Sequence, residues 1–244
     1  MTHDAEPSST DSTGAAHAVR VKICGLTRAD EAAACVEAGA DWIGLNFHPQ
    51  SARFVDAERA ESIVRAVEDR GRIVGLFVDR RPEEVLRLAT GLGITAVQLH
   101  GNEPPEDLRA LGDLRVVRAF RLGRPEDVAA MAGYLRRAEW LGRLPDAILI
   151  DALVPGLAGG TGTVVAEPVL ERLESLRTET RLPPMILAGG LTPANVRERA
   201  ERVRPWMVDV ASGVESSPGR KDPGLVAAFI REVRRGPAAL RPPD

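Results

Sequence analysis

From Val19 onward the chain alternates between two patterns. Short apolar runs rich in Val, Ile and Leu fall at 19–24, 42–47, 72–78, 96–99, 115–120, 147–150, 185–188 and 207–210. Between them lie longer stretches in which apolar residues recur every three or four positions, at 28–38, 57–69, 82–92, 104–111, 125–140, 167–176, 193–204 and 224–235. The first pattern predicts strands and the second predicts amphipathic helices. Ile73-Val74-Gly75-Leu76-Phe77-Val78 and Ala147-Ile148-Leu149-Ile150 are nearly continuous apolar runs, as parallel strands covered on both faces require. Helix starts carry their own signals: Thr27, Asp56, Thr192 and Asp222 as N-caps, and Pro82, Pro104, Pro125 and Pro193 in first turns, where a missing N–H costs little.

Eight strand-then-helix units can close into a barrel or wind into an open sheet. An open dinucleotide-binding sheet would carry Gly-x-Gly-x-x-Gly after its first strand, whereas Cys24-Gly25-Leu26-Thr27 runs straight into a helix. The glycines gather late instead, at Gly189-Gly190 and Ser212-Gly213. Loops after the seventh and eighth strands form the phosphate cradle in barrels that handle phosphates, so this placement favours a single (β/α)8 TIM barrel of the α/β class. Its expected limits are residues 19–236, with tails at 1–18 and 237–244.

Composition narrows the function. A length of 244 residues with 44% hydrophobic content suits one core. A net charge of −3 with basic residues no denser than Arg80-Arg81 or Arg234-Arg235 offers no contiguous face for nucleic acid. No apolar run approaches the roughly 20 residues of a membrane span. The Ser-, Thr-, Asp- and Ala-rich opening lacks a secretory signal and reads as a disordered tail. Two cysteines make no disulfide framework, and no Cys/His cluster has zinc spacing, so a cytoplasmic protein without structural metal is expected.

Catalytic groups of such a barrel sit at the C-terminal ends of strands. The polar side chains there are Cys24, Asn46, His48, Asp79, His100, Arg121, Asp151, Asp209 and Ser212. Cys24, at a strand mouth before Gly25, is either a general base or a small packing residue, the role assigned to Cys35 among helical alanines. Asp151 follows Ile148-Leu149-Ile150, a costly place for a carboxylate that is neither hydrogen-bonded nor useful. It is either a general acid or a loop cap, and the glycines at 156, 159, 160 and 162 suit a loop that closes over a ligand. Gly189, Gly190, Ser212 and Gly213 would present N–H groups to an anion at the start of a short helix, and each pair is also ordinary turn material. Arg53 suits a bidentate grip on a carboxylate, or a solvated surface position. His100 is either a site-lining residue or a rim histidine.

The segments VKICGLT (21–27), GADWIGLNF (39–47), SARFV (51–55), VGLFVD (74–79), VQLHGNE (97–103), LIDA (149–152), GGTG (159–162), LAGGLTPANV (187–196), VDVASGVE (208–215) and GRKD (219–222) together resemble the phosphoribosylanthranilate isomerase family, in the right order and over almost the whole chain. The resemblance implies an eightfold barrel and a metal-free, cofactor-free Amadori rearrangement in tryptophan biosynthesis. It places the general base on Cys24, the general acid on Asp151 and a contact to the anthranilate carboxylate on Arg53. The phosphate falls to Gly189, Gly190, Ser212 and Gly213, and His100 and Asp209 stand near the substrate. A small phosphorylated substrate, a monomer or homodimer and a cytoplasmic location follow from the same resemblance.

The chain departs from the family pattern at Ala52, where proline is usual, at Ala211, where serine is common, and at Thr163-Val164-Val165-Ala166 after GGTG. Competing readings are another sugar-phosphate barrel, which would need two aspartates or metal ligands in place of Cys24 with Asp151, and a non-catalytic barrel that binds a phosphorylated ligand.

Overall fold

The structure, a computed structural model, describes residues 18–67, 70–152 and 164–236. The tails expected at 1–18 and 237–244 lie outside these residues except for Ala18, as does the glycine-rich stretch through Gly162. Eight parallel strands close into a barrel in chain order. They are β1 Arg20–Cys24, β2 Trp42–Asn46, β3 Arg72–Phe77, β4 Ala96–Leu99, β5 Arg115–Leu122, β6 Ala147–Ala152, β7 Met185–Leu187 and β8 Met207–Val210. The helices α1 Ala29–Glu37, α2 Ala57–Val67, α3 Pro82–Gly91, α4 Asp107–Ala110, α5 Pro125–Trp140, α6 Glu167–Glu179, α7 Val196–Val203 and α8 Pro223–Arg235 follow the strands in turn. No helix among the described residues is long and apolar enough to cross a membrane.

Side chains alternate along each strand, and the two faces bury different cores. Val21, Ile23, Ile43, Leu45, Val116, Ile148 and Ile150 belong to the cluster shared with the helices. Trp42, Val117, Ala119, Ala147, Leu149 and Met207 form a second cluster filling the barrel. On β1 the same alternation sends Lys22 and Cys24 inward together. Lys22 is fully buried and stands in register with Asp209 on β8, the strand that closes the barrel against β1.

Two of the four expected N-caps are present. Asp222 Oδ1 accepts from the Leu225 N–H at 2.9 Å, and Asp56 Oδ1 accepts from the Arg59 N–H at 2.9 Å. Asp222→Ala should therefore lower stability by about 1 kcal/mol, read as a lower urea midpoint with an unchanged slope. The Thr27 hydroxyl donates instead to the Gly219 carbonyl at 2.8 Å, and α1 begins after Arg28 without a side-chain cap. Thr192 is likewise no cap: the Asn195 side chain accepts from the Thr192 N–H and donates to the Gly190 carbonyl, and α7 starts only at Val196. Pro82 and Pro125 open their helices, whereas Pro104 and Pro193 lie in turns three residues ahead of α4 and α7.

After β8 the chain makes a 3-10 turn, Ser212–Val214, and then an antiparallel hairpin of β9 Glu215–Ser217 and β10 Arg220–Lys221. Its Pro218-Gly219 corner places Gly219 at φ +80, the conformation a Pro-Gly turn demands and larger side chains resist.

Candidate active site

The C-terminal ends of the strands open onto one cavity of about 420 Å³. Of the nine residues singled out in the sequence, Cys24, Arg53, His100, Asp151, Gly189, Gly190, Asp209 and Ser212 line it. Gly213 does not: its Cα packs against the Leu191 carbonyl so closely that a Cβ would overlap that oxygen, so it holds the loops after β7 and β8 together beneath the wall. Asn46, His48 and Arg121 line the cavity as well. Asp79 is not among the lining residues. Its N–H donates to Glu103 and its carboxylate accepts from the Asn102 N–H, which braces the loop after β4.

Cys24 ends β1, nearly buried, opposite Gly44 of β2 in register. A Cβ at Gly44 would lie 2.7 Å from the Cys24 Sγ and 3.1 Å from the Lys22 Nζ. The glycine thus leaves the room in which thiol and ammonium meet. Burial pushes the Cys24 thiol above its ordinary value, and the nearby Lys22 ammonium is the foremost influence pulling it back. Lys22 Nζ in turn donates to Asp209 Oδ1 at 3.0 Å. Burial alone would push the lysine down, but Asp209 and the adjacent cysteine hold it above its ordinary value. Cys35, by contrast, is packed into α1 away from the cavity, with its thiol driven up to about 11 by burial.

Arg53 arrives from the loop after β2. That loop is pinned without proline at position 52: the Asn46 amide and the Arg53 N–H both donate to the Ser51 Oγ, and the Phe54 N–H donates to the Ser51 carbonyl. The Arg53 fork faces a partner within the protein, with Nε and Nη2 donating to the two carboxylate oxygens of Glu215 at 2.8 and 2.7 Å. The expected bidentate grip on substrate through that edge is therefore already occupied, and a ligand carboxylate would meet the end-on Nη1/Nη2 edge. Lys221 Nζ donates to the same Glu215 at 2.8 Å and to the Ala211 carbonyl at 2.9 Å. Burial would push the Glu215 carboxyl up, but Arg53 and Lys221 hold it below its ordinary value. Position 211 contributes its backbone carbonyl to this network, which any residue there supplies.

Asp151 lies on β6, in register with Arg121 of β5, one residue beyond the apolar run that announced the strand. His100 Nε2 approaches Asp151 Oδ2 at 3.5 Å, and His100 Nδ1 meets the Gln98 side-chain nitrogen at 2.7 Å. Gly189, at φ +83, lets the chain after β7 pass behind the carboxylate; a Cβ there would lie 2.6 Å from the Ala152 nitrogen and 2.8 Å from Asp151 Oδ1.

Lys22, Gln98, Asn195, Glu215 and Lys221 escaped the search for polar strand ends. Lys22 had a visible signal, a lysine between Val21 and Ile23 on the same strand face as Cys24. Glu215 and Lys221 lie on a hairpin that no hydrophobic periodicity marks. No group of three or more His, Cys, Asp or Glu side chains suited to a metal ion occurs among the described residues.

Comparison with known proteins agrees with this geometry. A profile of the family described as N-(5'-phosphoribosyl)anthranilate (PRA) isomerase matches residues 21–232. The N-(5'-phosphoribosyl)anthranilate isomerase of Myxococcus xanthus is 40% identical over 216 residues, covering 88% of this chain and 96% of that protein. The crystal structure of phosphoribosyl anthranilate isomerase from Thermotoga maritima superposes with a TM-score of 0.77 at 35% identity, over 89% of this chain and 99% of that one. A phosphoribosyl anthranilate isomerase solved in complex with reduced 1-(o-carboxyphenylamino)-1-deoxyribulose 5-phosphate matches with a TM-score of 0.75 at 33% identity, again over 89% and 99%.

Proposed function

This chain belongs to the N-(5'-phosphoribosyl)anthranilate isomerase family, and from that premise we propose how its cavity carries the reaction, with Cys24 as general base and Asp151 as general acid. The activity is the Amadori rearrangement of tryptophan biosynthesis, which converts N-(5-phosphoribosyl)anthranilate to 1-(2-carboxyphenylamino)-1-deoxyribulose 5-phosphate. The observation that carries the residue assignment is that a thiol on β1 and a carboxyl on β6 open onto the same cavity, each held by its own set of charged or polar neighbours.

Asp151, protonated, donates to the ribose ring oxygen as the C1′–O bond breaks, leaving an iminium at C1′. The Cys24 thiolate then removes the C2′ proton, which the adjacent iminium has made acidic. The resulting enolamine gains a proton at C1′ and loses one from the C2′ hydroxyl to become the aminoketone. The substrate gains and loses two protons each, so the enzyme returns to its starting state once the proton on Cys24 is exchanged back to Asp151 through solvent. To act as the acid, Asp151 must carry its proton when substrate binds.

Gly189, Gly190 and Ser212 supply the phosphate side of the cavity, with Gly213 setting the approach of the two loops. Arg53 presents its free edge to the anthranilate carboxylate, and Asp209 acts from beneath by way of Lys22. A cytoplasmic monomer or homodimer acting on a dissolved phosphorylated substrate completes this reading.

Freshly generated phosphoribosylanthranilate, followed by loss of anthranilate-type fluorescence, tests the reading directly. Conversion at a rate typical of biosynthetic enzymes, roughly 1–1,000 per second, is expected. A folded protein that converts none of it would overturn the activity.

A further inference from the structure

We propose that Lys22 is a positioning residue of the reaction: from beneath the cavity floor it keeps Cys24 ready to give up its proton, and Asp209 holds Lys22 in that place. The proposal rests on the reading of Cys24 as the base and extends it to Lys22, which does not line the cavity.

The geometry has three parts. Lys22 is fully buried and does not line the cavity, so its ammonium has no route to a ligand. It shares the inward face of β1 with Cys24, two residues away, and both side chains converge on the space that Gly44 leaves empty, with Nζ and Sγ within about 3 Å of the same point. Asp209, in register across the β1–β8 seam, anchors the ammonium at 3.0 Å. A buried lysine is costly, and a single carboxylate would satisfy it as an inert ion pair. The position of this one beside a nucleophile is what an inert pair does not explain.

The wider charge pattern agrees. The charged groups that face Cys24 are Lys22 on β1, Asp209 on β8, Lys221 on β10 and Arg53 on the loop after β2, with Glu215 on β9 joining the last two. Among these described groups three cations stand against two carboxylates, and ionising Cys24 makes the set neutral. Burial is the largest influence on the thiol and leaves it above its ordinary value, and Lys22 is the largest influence opposing burial.

The test measures Cys24 without substrate. Iodoacetamide modifies thiolates, so the rate of Cys24 alkylation against pH, read by mass spectrometry of its peptide, reports its ionisation, and Cys35 in the same digest reports any general unfolding. Lys22→Met should move the Cys24 midpoint upward by at least one pH unit, which is tenfold slower alkylation at a fixed pH below it. Because this variant leaves Asp209 buried without its partner, the double variant Lys22→Met/Asp209→Asn is the decisive one. It buries no lone charge, should fold, and should keep the upward shift, since Lys22 influences the thiol more than Asp209 does. Lys22→Arg should recover part of the wild-type profile. In turnover the loss should fall on kcat, with KM within a few-fold.

A folded double variant with the wild-type alkylation profile would overturn the proposal and leave Lys22 as a structural ion-pair partner. Wild-type protein that shows the Lys22-dependent shift yet never converts substrate would overturn the isomerase reading while the Lys22–Cys24 coupling stood.

Discussion

Cys24→Ala should cut kcat by about a thousandfold while leaving the protein folded. Nothing else on the inward face of β1 reaches the cavity, because Lys22 is sealed beneath it. Water in the vacated space would be a far weaker base than a thiolate, and the C2′ proton would have to leave without a positioned acceptor. Stability should change little. The lost sulfur borders an open cavity, so the hole merges with existing solvent space and avoids the penalty of an enclosed void. Thermal unfolding beside single-turnover kinetics checks both halves. A variant that retains more than a tenth of wild-type kcat would remove Cys24 from the role of base and shift attention to Asp151 or His100.

Asp151→Asn should also reduce kcat, by roughly a hundred- to ten-thousandfold, and by a different route. Asparagine keeps the shape of the side chain, so the close fit against the Gly189 backbone and the approach of His100 survive. It cannot transfer a proton to the ring oxygen, and the sugar stays closed. KM should stay near its wild-type value, since the amide still fills the same place. A substrate analogue whose ring is already open would separate the steps: if Asp151 serves ring opening alone, the Asn variant should process that analogue far better than the natural substrate. Equal loss on both would assign Asp151 to the proton transfers at carbon.

The architecture was legible because each strand is short, apolar and followed by an amphipathic helix, and the barrel needs nothing else to specify its order. Strand ends were harder. β6 continues through Asp151 and Ala152 and β5 through Arg121 and Leu122, since the two strands pair with each other to the rim and polar side chains there face the cavity without interrupting the ladder. Helix starts failed at Thr27 and Thr192 because other partners claimed the capping groups: a glycine carbonyl 192 residues away for the first, and the Asn195 side chain, three residues on, for the second. The pair proposed for catalysis, Cys24 and Asp151, which both line the cavity, was visible as polar residues at strand mouths. The charges that support it were not, because Glu215 and Lys221 lie on a hairpin set by a Pro-Gly corner, and the roles of Lys22 and Asp209 appear only when β8 closes against β1. For Arg53 the residue was identified while its partner was not, so a fork that seemed free for substrate turned out to be held by Glu215.

The seam between β1 and β8 carries a consequence for the order in which the molecule is made. Lys22 and Asp209 are 187 residues apart, and at translation speeds of about 5–20 residues per second the lysine emerges about 10–40 s before its carboxylate. Arg53 waits similarly for Glu215, 162 residues downstream. Through that interval the first strand has a charge on the face destined for the barrel interior and nothing to neutralise it. A nascent chain is thereby discouraged from sealing β1 against the wrong neighbour; β8 completes the wall and brings Asp209 to Lys22, and the hairpin that follows brings Glu215 to Arg53 and Lys221.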